Sequence, residues 1–289
     1  MRRKLSEIFI EGCIRLSGVL CISFVVLIFL FLLKDALALF GGYSAGKFLF
    51  GSQWLPVSEP PHFGIVPLVI GSLYVTLGAI LICVPIGVGA AMFIAEVAPQ
   101  SLKTILKSLV EILAAIPSVV LGFIGIVWLG PFLKTTLGLS TGMCGLTGSL
   151  LLAFMALPTI ISISEDALAG VPKAYREAAF GLGATRWQTL WRILLPAASS
   201  GIIAGVMLGI GRVIGETMVV MMVTGNAPVI PASILQPLRT LTATVASEMG
   251  EAVSGSEHYF ALFAVGLILF IITFLINLVA DMSLRKARR

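Results

Sequence analysis

The sequence has little charge and lacks the composition of a soluble protein. Only 11% of its 289 residues are charged, 58% are hydrophobic, and the mean hydropathy is +1.07. Soluble domains carry about 25% charged residues, so this composition indicates a polytopic membrane protein. The net charge of +5 does not favour nucleic-acid binding, because the basic residues lie at the ends of apolar runs instead of forming one patch.

Cysteine and histidine are also scarce. The cysteines contain no C-x-x-C pair, which favours buried, unreactive thiols over a disulfide framework or a metal site. They are Cys13, Cys21, Cys83 and Cys144. The two histidines, His62 and His258, lack the spacing of zinc ligands. No G-x-x-x-x-G-K-[ST] motif is present, so we expect ATP to be bound elsewhere and predict no metal site in this chain.

Six stretches are long and apolar enough to cross a bilayer, which takes about 20 residues. They span residues 16–33, 66–95, 109–129, 144–163, 198–223 and 260–280. The predicted fold is therefore all-α, with six transmembrane helices. We divide the chain into an N-terminal segment with the first span and its loop (1–64), a main transmembrane domain (65–280) and a basic tail (281–289). The first span is too long for a cleaved signal peptide and is expected to be retained.

The positions of Lys and Arg predict the orientation. Both ends of the chain and the loops after the second and fourth spans are rich in these residues, whereas the opposite loops contain few. Those few are Lys34, Lys47, Lys134 and Arg239. Because basic loops stay on the cytoplasmic side, we expect both termini in the cytoplasm.

One stretch, residues 175–196, is too polar for the bilayer. The sequence predicts a short helix over residues 173–180 that begins at Pro172, a break at Gly181 and Gly183, and a second short helix that Thr185 caps. This helix, turn and helix form a polar knob on the basic side. An amphipathic interfacial loop without a partner is the alternative.

The same stretch resembles the EAA loop of ABC importer permeases. The motif E-A-A-x(3)-G-x(9)-I-x-L-P is matched at every fixed position from Glu177 to Pro196. The resemblance implies a type I ABC importer permease fold, in which this loop docks into a cleft on an ATP-binding subunit. The residues that it assigns to the contact are Glu177, Ala178, Ala179 and Gly183.

Further stretches are similar to phosphate-specific permease subunits of the PstC type. They begin at Gly71, Ala114, Leu208 and Ala246. This resemblance implies phosphate import across a bacterial cytoplasmic membrane. It also implies the following partners: a second, PstA-type permease subunit, two PstB-type subunits that bind ATP and Mg, and an extracytoplasmic phosphate-binding protein.

Two ionisable residues, Arg212 and Glu216, lie deep in the fifth predicted span. A charge there costs about 2.5 kcal/mol or more, so it needs a partner or water. On a helical wheel both share a stripe with Gly205 and Gly209, where a second helix can approach closely. The pair is either a gate or substrate-path site, with Arg212 suited to phosphate oxygens, or a buried structural ion pair; a lipid-facing placement is disfavoured.

Pro117 lies within the third predicted span. Proline removes a backbone donor and kinks a helix, so we expect a bend that is either structural or lines a pathway.

The loops on the other side differ in character. Residues 41–63 are rich in aromatic residues and proline, which predicts an irregular interfacial segment. Residues 225–259 carry Glu248, Glu251 and Glu257 against Arg239 alone, and this long acidic loop is expected to be functional.

Other functions remain open. An intramembrane enzyme needs a nucleophile, base or metal at one depth, which Arg212 and Glu216 alone do not supply. An ion-coupled carrier normally shows internal repeats, and no second half matches the proline-interrupted span. An ABC permease for sulfate, molybdate or phosphonate also fits. We therefore predict a transport subunit, not an enzyme, with no catalytic residue and no cofactor of its own.

Overall fold

The computed structural model describes the backbone of residues 2–287 and the side chains of residues 9–279 and Met282. The basic side chains predicted at residues 2–4 and in the tail, 281–289, lie outside the described side chains. In chain order the elements are α1 (Arg2–Leu39), α2 (Ala45–Phe50), β1 (Trp54–Leu55), β2 (His62–Phe63), α3 (Val66–Met92), α4 (Gln100–Ala114), α5 (Ser118–Ile124), α6 (Gly130–Leu137), α7 (Gly145–Ala169), α8 (Lys173–Gly181), α9 (Arg186–Thr189), α10 (Leu195–Ala197), α11 (Ser199–Gly215), α12 (Met218–Val223), α13 (Leu241–Glu248) and α14 (Glu257–Ala287). Three π-helical turns continue α3, join α5 to α6 and join α9 to α10: Phe93–Val97, Gly125–Leu129 and Leu190–Leu194.

The described residues contain five segments that are long and apolar enough to cross a membrane. They are Phe9–Leu39, Val66–Val97, Ser118–Leu137, Gly145–Ala169 and Glu257–Val279. A sixth arises if the pair Arg186–Ala197 and Ser199–Gly215, bent by 71°, is one broken span. The all-α, polytopic fold is therefore confirmed, with five spans, or six when the bent pair is counted as one span.

Helix α7 forms the centre of the bundle. In its apolar window 61% of the residues are buried, against 0% in α1, so α1 lies at the periphery. Helices α3 and α11 pack along α7, whereas α1 packs mainly on α14, where Phe29 and Phe270 have ring centroids 5.5 Å apart. An apolar helix surrounded by neighbours is typical of a bundle core.

The third span differs from its prediction. Residues 109–114 belong to α4, a separate amphipathic helix, and the spanning segment begins only at Ser118. Pro117 is the extended N-cap of α5 (ψ 138°), so it separates two helices and does not kink one. The reason is steric, because the residue before a proline is disfavoured in the helical conformation.

The fifth span is also broken. Helix α11 ends at Gly215, Glu216 is extended (ψ 133°), and α12 begins at Met218. The prediction of a continuous span over residues 198–223 is therefore wrong.

The connecting segments gather at the two ends of the bundle. We call the end that carries α4 and α8 the basic end, and the end that carries the β1–β2 pair and α13 the hairpin end. At the hairpin end, residues 41–63 are irregular apart from α2 and a short antiparallel hairpin in which Trp54 pairs with Phe63, and both of these residues are buried with Phe48. Residues 225–259 contain α13, whose residues 241–244 are buried.

Candidate functional site

The EAA loop forms two short helices at the basic end, as the sequence predicts. Helix α8 ends at Gly181, and Gly183 turns the chain with φ +80°, a conformation that favours glycine. Thr185 then caps α9 through a reciprocal capping box: the Gln188 N–H donates to Thr185 Oγ1 (3.3 Å), and the Thr185 N–H donates to Gln188 Oε1 (2.9 Å). Pro172 is the N-cap of α8 and not its first residue.

The predicted contact residues of the loop do not all face outward. Glu177, Ala178 and Gly183 are exposed, whereas Ala179 is only 2% exposed and faces its own chain. The tip of the turn is apolar, because Leu182 is 89% exposed. The outward surface therefore combines the Glu177 carboxylate and the small Ala178 with large apolar side chains, among them Leu182 and Phe180.

Arg176 fastens this loop to the bundle. Its Nε donates to Oε1 and Oε2 of Glu96 at 3.2 and 3.3 Å, and Nη2 also pairs with Glu96. Nη1 donates to the Val171 carbonyl (2.8 Å), and Nη2 to the Leu168 carbonyl (3.0 Å). One guanidinium thus joins α8 to the π-helical turn after α3 and to the end of α7, and we call these contacts the Arg176 clamp.

The clamp escaped the sequence prediction. Glu96 lies at the end of the second span, 80 residues from Arg176, and no sequence motif links the two residues. One feature of the sequence could have indicated the clamp: Glu96 is a single carboxylate at the end of an apolar span, on the same side of the membrane as the basic loop that contains Arg176.

A second ionic cluster ties α4 to α7. Glu165 is 1% exposed, and Lys103 Nζ lies 3.0 Å from its Oε1 while Lys107 pairs with its Oε2. Lys107 Nζ also lies 3.6 Å from Asp166 Oδ1. The hydrogen bond to the Glu165 carboxylate raises the pKa of the Lys107 ammonium above its ordinary value. The cluster holds the amphipathic helix against the bundle.

The glycines of α11 pack against α7. A Cβ on Gly209 would lie 2.5 Å from the Ile160 side chain, and one on Gly205 would lie 3.1 Å from that of Ile163. The close helix approach predicted from these glycines is therefore present. Arg212 follows on the same stripe but is exposed, and its Nη1 donates to Thr159 Oγ1 at 3.5 Å.

Glu216 does not continue the stripe, because it lies outside α11. Its Oε1 accepts from the backbone N–H groups of Met218 (3.1 Å) and Val219 (3.3 Å), so it caps the start of α12. Within the described part of the chain, no ion pair joins Glu216 to Arg212. Arg212 and Glu216 therefore have different partners: Arg212 contacts Thr159, and Glu216 contacts the start of α12.

At the hairpin end, Glu248 is not part of a free acidic surface. Trp54 Nε1 donates to its Oε2 (3.0 Å), His258 Nε2 lies 2.9 Å from the same oxygen, and Arg239 pairs with Oε1. The acidic side chains of this loop that remain exposed are Glu251 and Glu257.

No metal centre is evident in the described residues. They contain no group of three or more His, Cys, Asp or Glu side chains that could hold a metal ion.

The sequence is similar to curated proteins that are named as transport permeases. It is 39% identical to a probable ABC transporter permease protein, YqgH, of Bacillus subtilis over 98% of this chain and 93% of the relative. It is 40% identical to the phosphate transport system permease protein PstC of Mesorhizobium japonicum over 83% and 78% of the two chains. The PstC protein of Haemophilus influenzae is 30% identical over 100% and 97%.

Solved structures share the fold. A subunit of the MetNI methionine ABC transporter in an inward-facing conformation superposes with a TM-score of 0.62 at 22% identity, over 81% of this chain and 100% of that one. A chain of a bacterial alginate ABC transporter, crystallised with an alginate-bound periplasmic protein, gives 0.62 at 16% over 94% of each. The family model for the binding-protein-dependent transport system inner membrane component matches residues 83–289. This chain therefore belongs to that family of membrane-embedded ABC transporter permease subunits, which are transport components and not enzymes.

Proposed function

We propose that this chain is a permease subunit of an ATP-driven phosphate import complex. The observation that carries the proposal is the EAA loop, an exposed knob that the Arg176 clamp fastens to two spanning segments. Relatives named phosphate transport system permease proteins support phosphate as the substrate. An ABC permease for sulfate, molybdate or phosphonate is the alternative on the same fold.

The proposed complex contains a second permease subunit of the PstA type, two ATP-binding subunits of the PstB type and an extracytoplasmic phosphate-binding protein. ATP and Mg are bound by the ATP-binding subunits, and this chain binds no cofactor of its own. The basic end faces the cytoplasm of a bacterial cell, so that both termini are cytoplasmic. The hairpin end faces the phosphate-binding protein.

Coupling follows from the contacts of the loop. Glu177, Ala178, Gly183 and the exposed Leu182 form the surface that enters the ATP-binding subunit, whereas the buried Ala179 holds α8 against its own chain. When the ATP-binding subunits close, they displace α8. Because the Arg176 clamp joins α8 to the ends of α3 and α7, the displacement reaches the core of the bundle and tilts it open outward.

Arg212 is the proposed substrate-path residue. It is exposed on a helix whose neighbouring residues are apolar, so its face requires water, a partner chain or an anion. A guanidinium binds tetrahedral oxyanions through its planar fork. Glu216, as the cap of α12, shapes the break at which the path leaves α11.

The test is reconstitution of the complex in liposomes. We expect ATP-dependent uptake of labelled phosphate that excess phosphate competes away, while sulfate, molybdate and phosphonate compete poorly. If sulfate, molybdate or phosphonate competes as well as phosphate does, phosphate is not the preferred substrate. Uptake driven by an ion gradient without ATP would support a carrier instead.

Two variants test the assigned roles. Glu177→Lys is expected to lower binding or stimulation of the ATP-binding subunit, and unchanged co-purification and stimulation would count against docking there. Arg212→Met is expected to abolish uptake while the complex still assembles, and normal uptake by a correctly inserted variant would remove Arg212 from the path.

A further inference from the structure

The central helix α7 carries a polar face beside Arg212. Thr159 accepts a hydrogen bond from Arg212 and is half-buried, and the next polar residues along this side, Ser162 and Asp166, are exposed. At about 100° per residue, Thr159, Ser162 and Asp166 fall within an arc of about 60°, so they share one face. The face descends about 10 Å along α7 towards the basic end.

The lower part of this face opens into a small cavity. Its volume is about 120 Å³, and Ser162 lines it together with Lys107, Glu165 and Asp166. Lys107 therefore stands at the basic end of the polar face, as Arg212 stands above it. The two cations bracket the two hydroxyl-bearing residues.

The adjoining face of α7 packs against α3 and α11, and its residues Ile160 and Ala156 are buried. Hydroxyl groups and cations donate hydrogen bonds, which is what an anion with acceptor oxygens requires. A lipid-facing surface gains nothing from an arginine near mid-membrane, which favours water or an anion on this face.

We propose that Thr159 and Ser162 line the route of the transported oxyanion, with Thr159 also positioning Arg212 and Lys107 marking the cytoplasmic end. The proposal rests on the proposed function and specifies the face of α7 that forms this chain's half of the pathway. At the inner end, Lys107 is already shared by Glu165 and Asp166, and Glu111 lines the same cavity. These carboxylates compete with the anion for Lys107, so the anion is held at Arg212 and released below Ser162.

The first test removes single hydroxyl groups in the full reconstituted complex. Thr159→Val and Ser162→Ala are expected to reduce phosphate uptake at sub-saturating phosphate by about tenfold, the loss expected for one hydrogen bond to a charged group. Thr159→Ser, which keeps the hydroxyl, is expected to restore uptake. The matched control is Ser164→Ala, because Ser164 Oγ is fully buried on the same helix and has no hydrogen-bond partner among the described residues.

The second test measures access of water to the face. Ser162→Cys is placed in a chain whose native cysteines are replaced, and a charged, water-soluble thiol reagent is added to the assembled complex. We expect labelling that phosphate slows. A chain that retains only the buried Cys83 is the negative control.

The outcomes separate the two levels of the argument. Normal uptake by Thr159→Val and Ser162→Ala, or an unreactive Ser162→Cys in a complex that still imports phosphate, would overturn this inference alone. A wild-type complex that hydrolyses ATP without importing phosphate would overturn the proposed function and the inference with it.

Discussion

The Arg176 clamp gives the sharpest prediction about coupling. Arg176→Met removes the contacts to Glu96 and leaves the carbonyls of Leu168 and Val171 without this donor. The side chains of Arg176 and Glu96 are only 20% and 18% exposed, so the pair is partly shielded from water. Every hydrogen bond of the guanidinium is charged, and such a bond contributes about 1.5–3 kcal/mol; because bonds that share one side chain are not additive, we expect a loss of roughly 3–5 kcal/mol.

The companion variants separate charge from geometry. Glu96→Gln keeps acceptor capacity and loses the charge, so we expect a cost of about 1–2 kcal/mol. Arg176→Lys keeps the charge, but an ammonium cannot replace the planar fork that reaches one carboxylate and two carbonyls, so we expect an intermediate cost. The double variant Arg176→Met with Glu96→Gln is expected to be less destabilised than the two losses added together, by about 1–2 kcal/mol.

Two assays check this prediction. Thermal unfolding of the purified permease, without the ATP-binding subunits, measures stability, with Arg186→Met as an exposed control in the same loop. Uptake in the reconstituted complex, expressed as phosphate imported per ATP hydrolysed, measures coupling and is expected to fall in Arg176→Met. Additive effects in the double variant, or an unchanged melting temperature and unchanged transport ratio in Arg176→Met, would refute the clamp.

Three further predictions concern single positions. Gly183→Val is expected to lower ATPase stimulation, because φ +80° costs a non-glycine residue about 1–2 kcal/mol, whereas Gly181→Ala at the last residue of α8 is expected to leave it unchanged. Glu165→Gln is expected to lower the melting temperature more than Lys107→Gln, because the first leaves Lys103 without its carboxylate and Lys107 with Asp166 alone, whereas the second leaves Glu165 paired with Lys103; equal losses would contradict this order. Gly209→Leu is expected to destabilise the permease by at least about 1–3 kcal/mol by overpacking against α7, and wild-type stability in thermal unfolding would disprove that contact.

Much of the fold could be predicted because the bilayer imposes strict local demands. Each spanning segment must satisfy its own backbone, so length and hydropathy locate helices without any tertiary contact. The prediction failed where the break depends on one residue. Hydropathy predicted one continuous third span, but Pro117 separates α4 from α5. It also predicted one continuous fifth span, but Glu216 lies between α11 and α12 and caps α12.

The candidate site divides in the same way. The helices and turn of the EAA loop followed from local chemistry, since Gly183 and the Thr185 cap act within a few residues. The ion-pair partners of Arg176 and Glu165 did not, because Glu96 and Lys103 lie dozens of residues away and no local pattern marks the pairing. Long-range ion pairs depend on how whole helices pack.

The sequence by itself therefore determined that this chain is a membrane permease with a polar EAA knob at its basic end. Those features are local, and each follows from hydropathy, turn chemistry or a motif in fixed register. Tertiary structure alone decided which carboxylate each cation meets, that Ala179 faces inward, and that Arg212 meets Thr159 and not Glu216. The physical reason is that these contacts arise between helices, whose relative rotation and depth are set by the packing of the whole bundle.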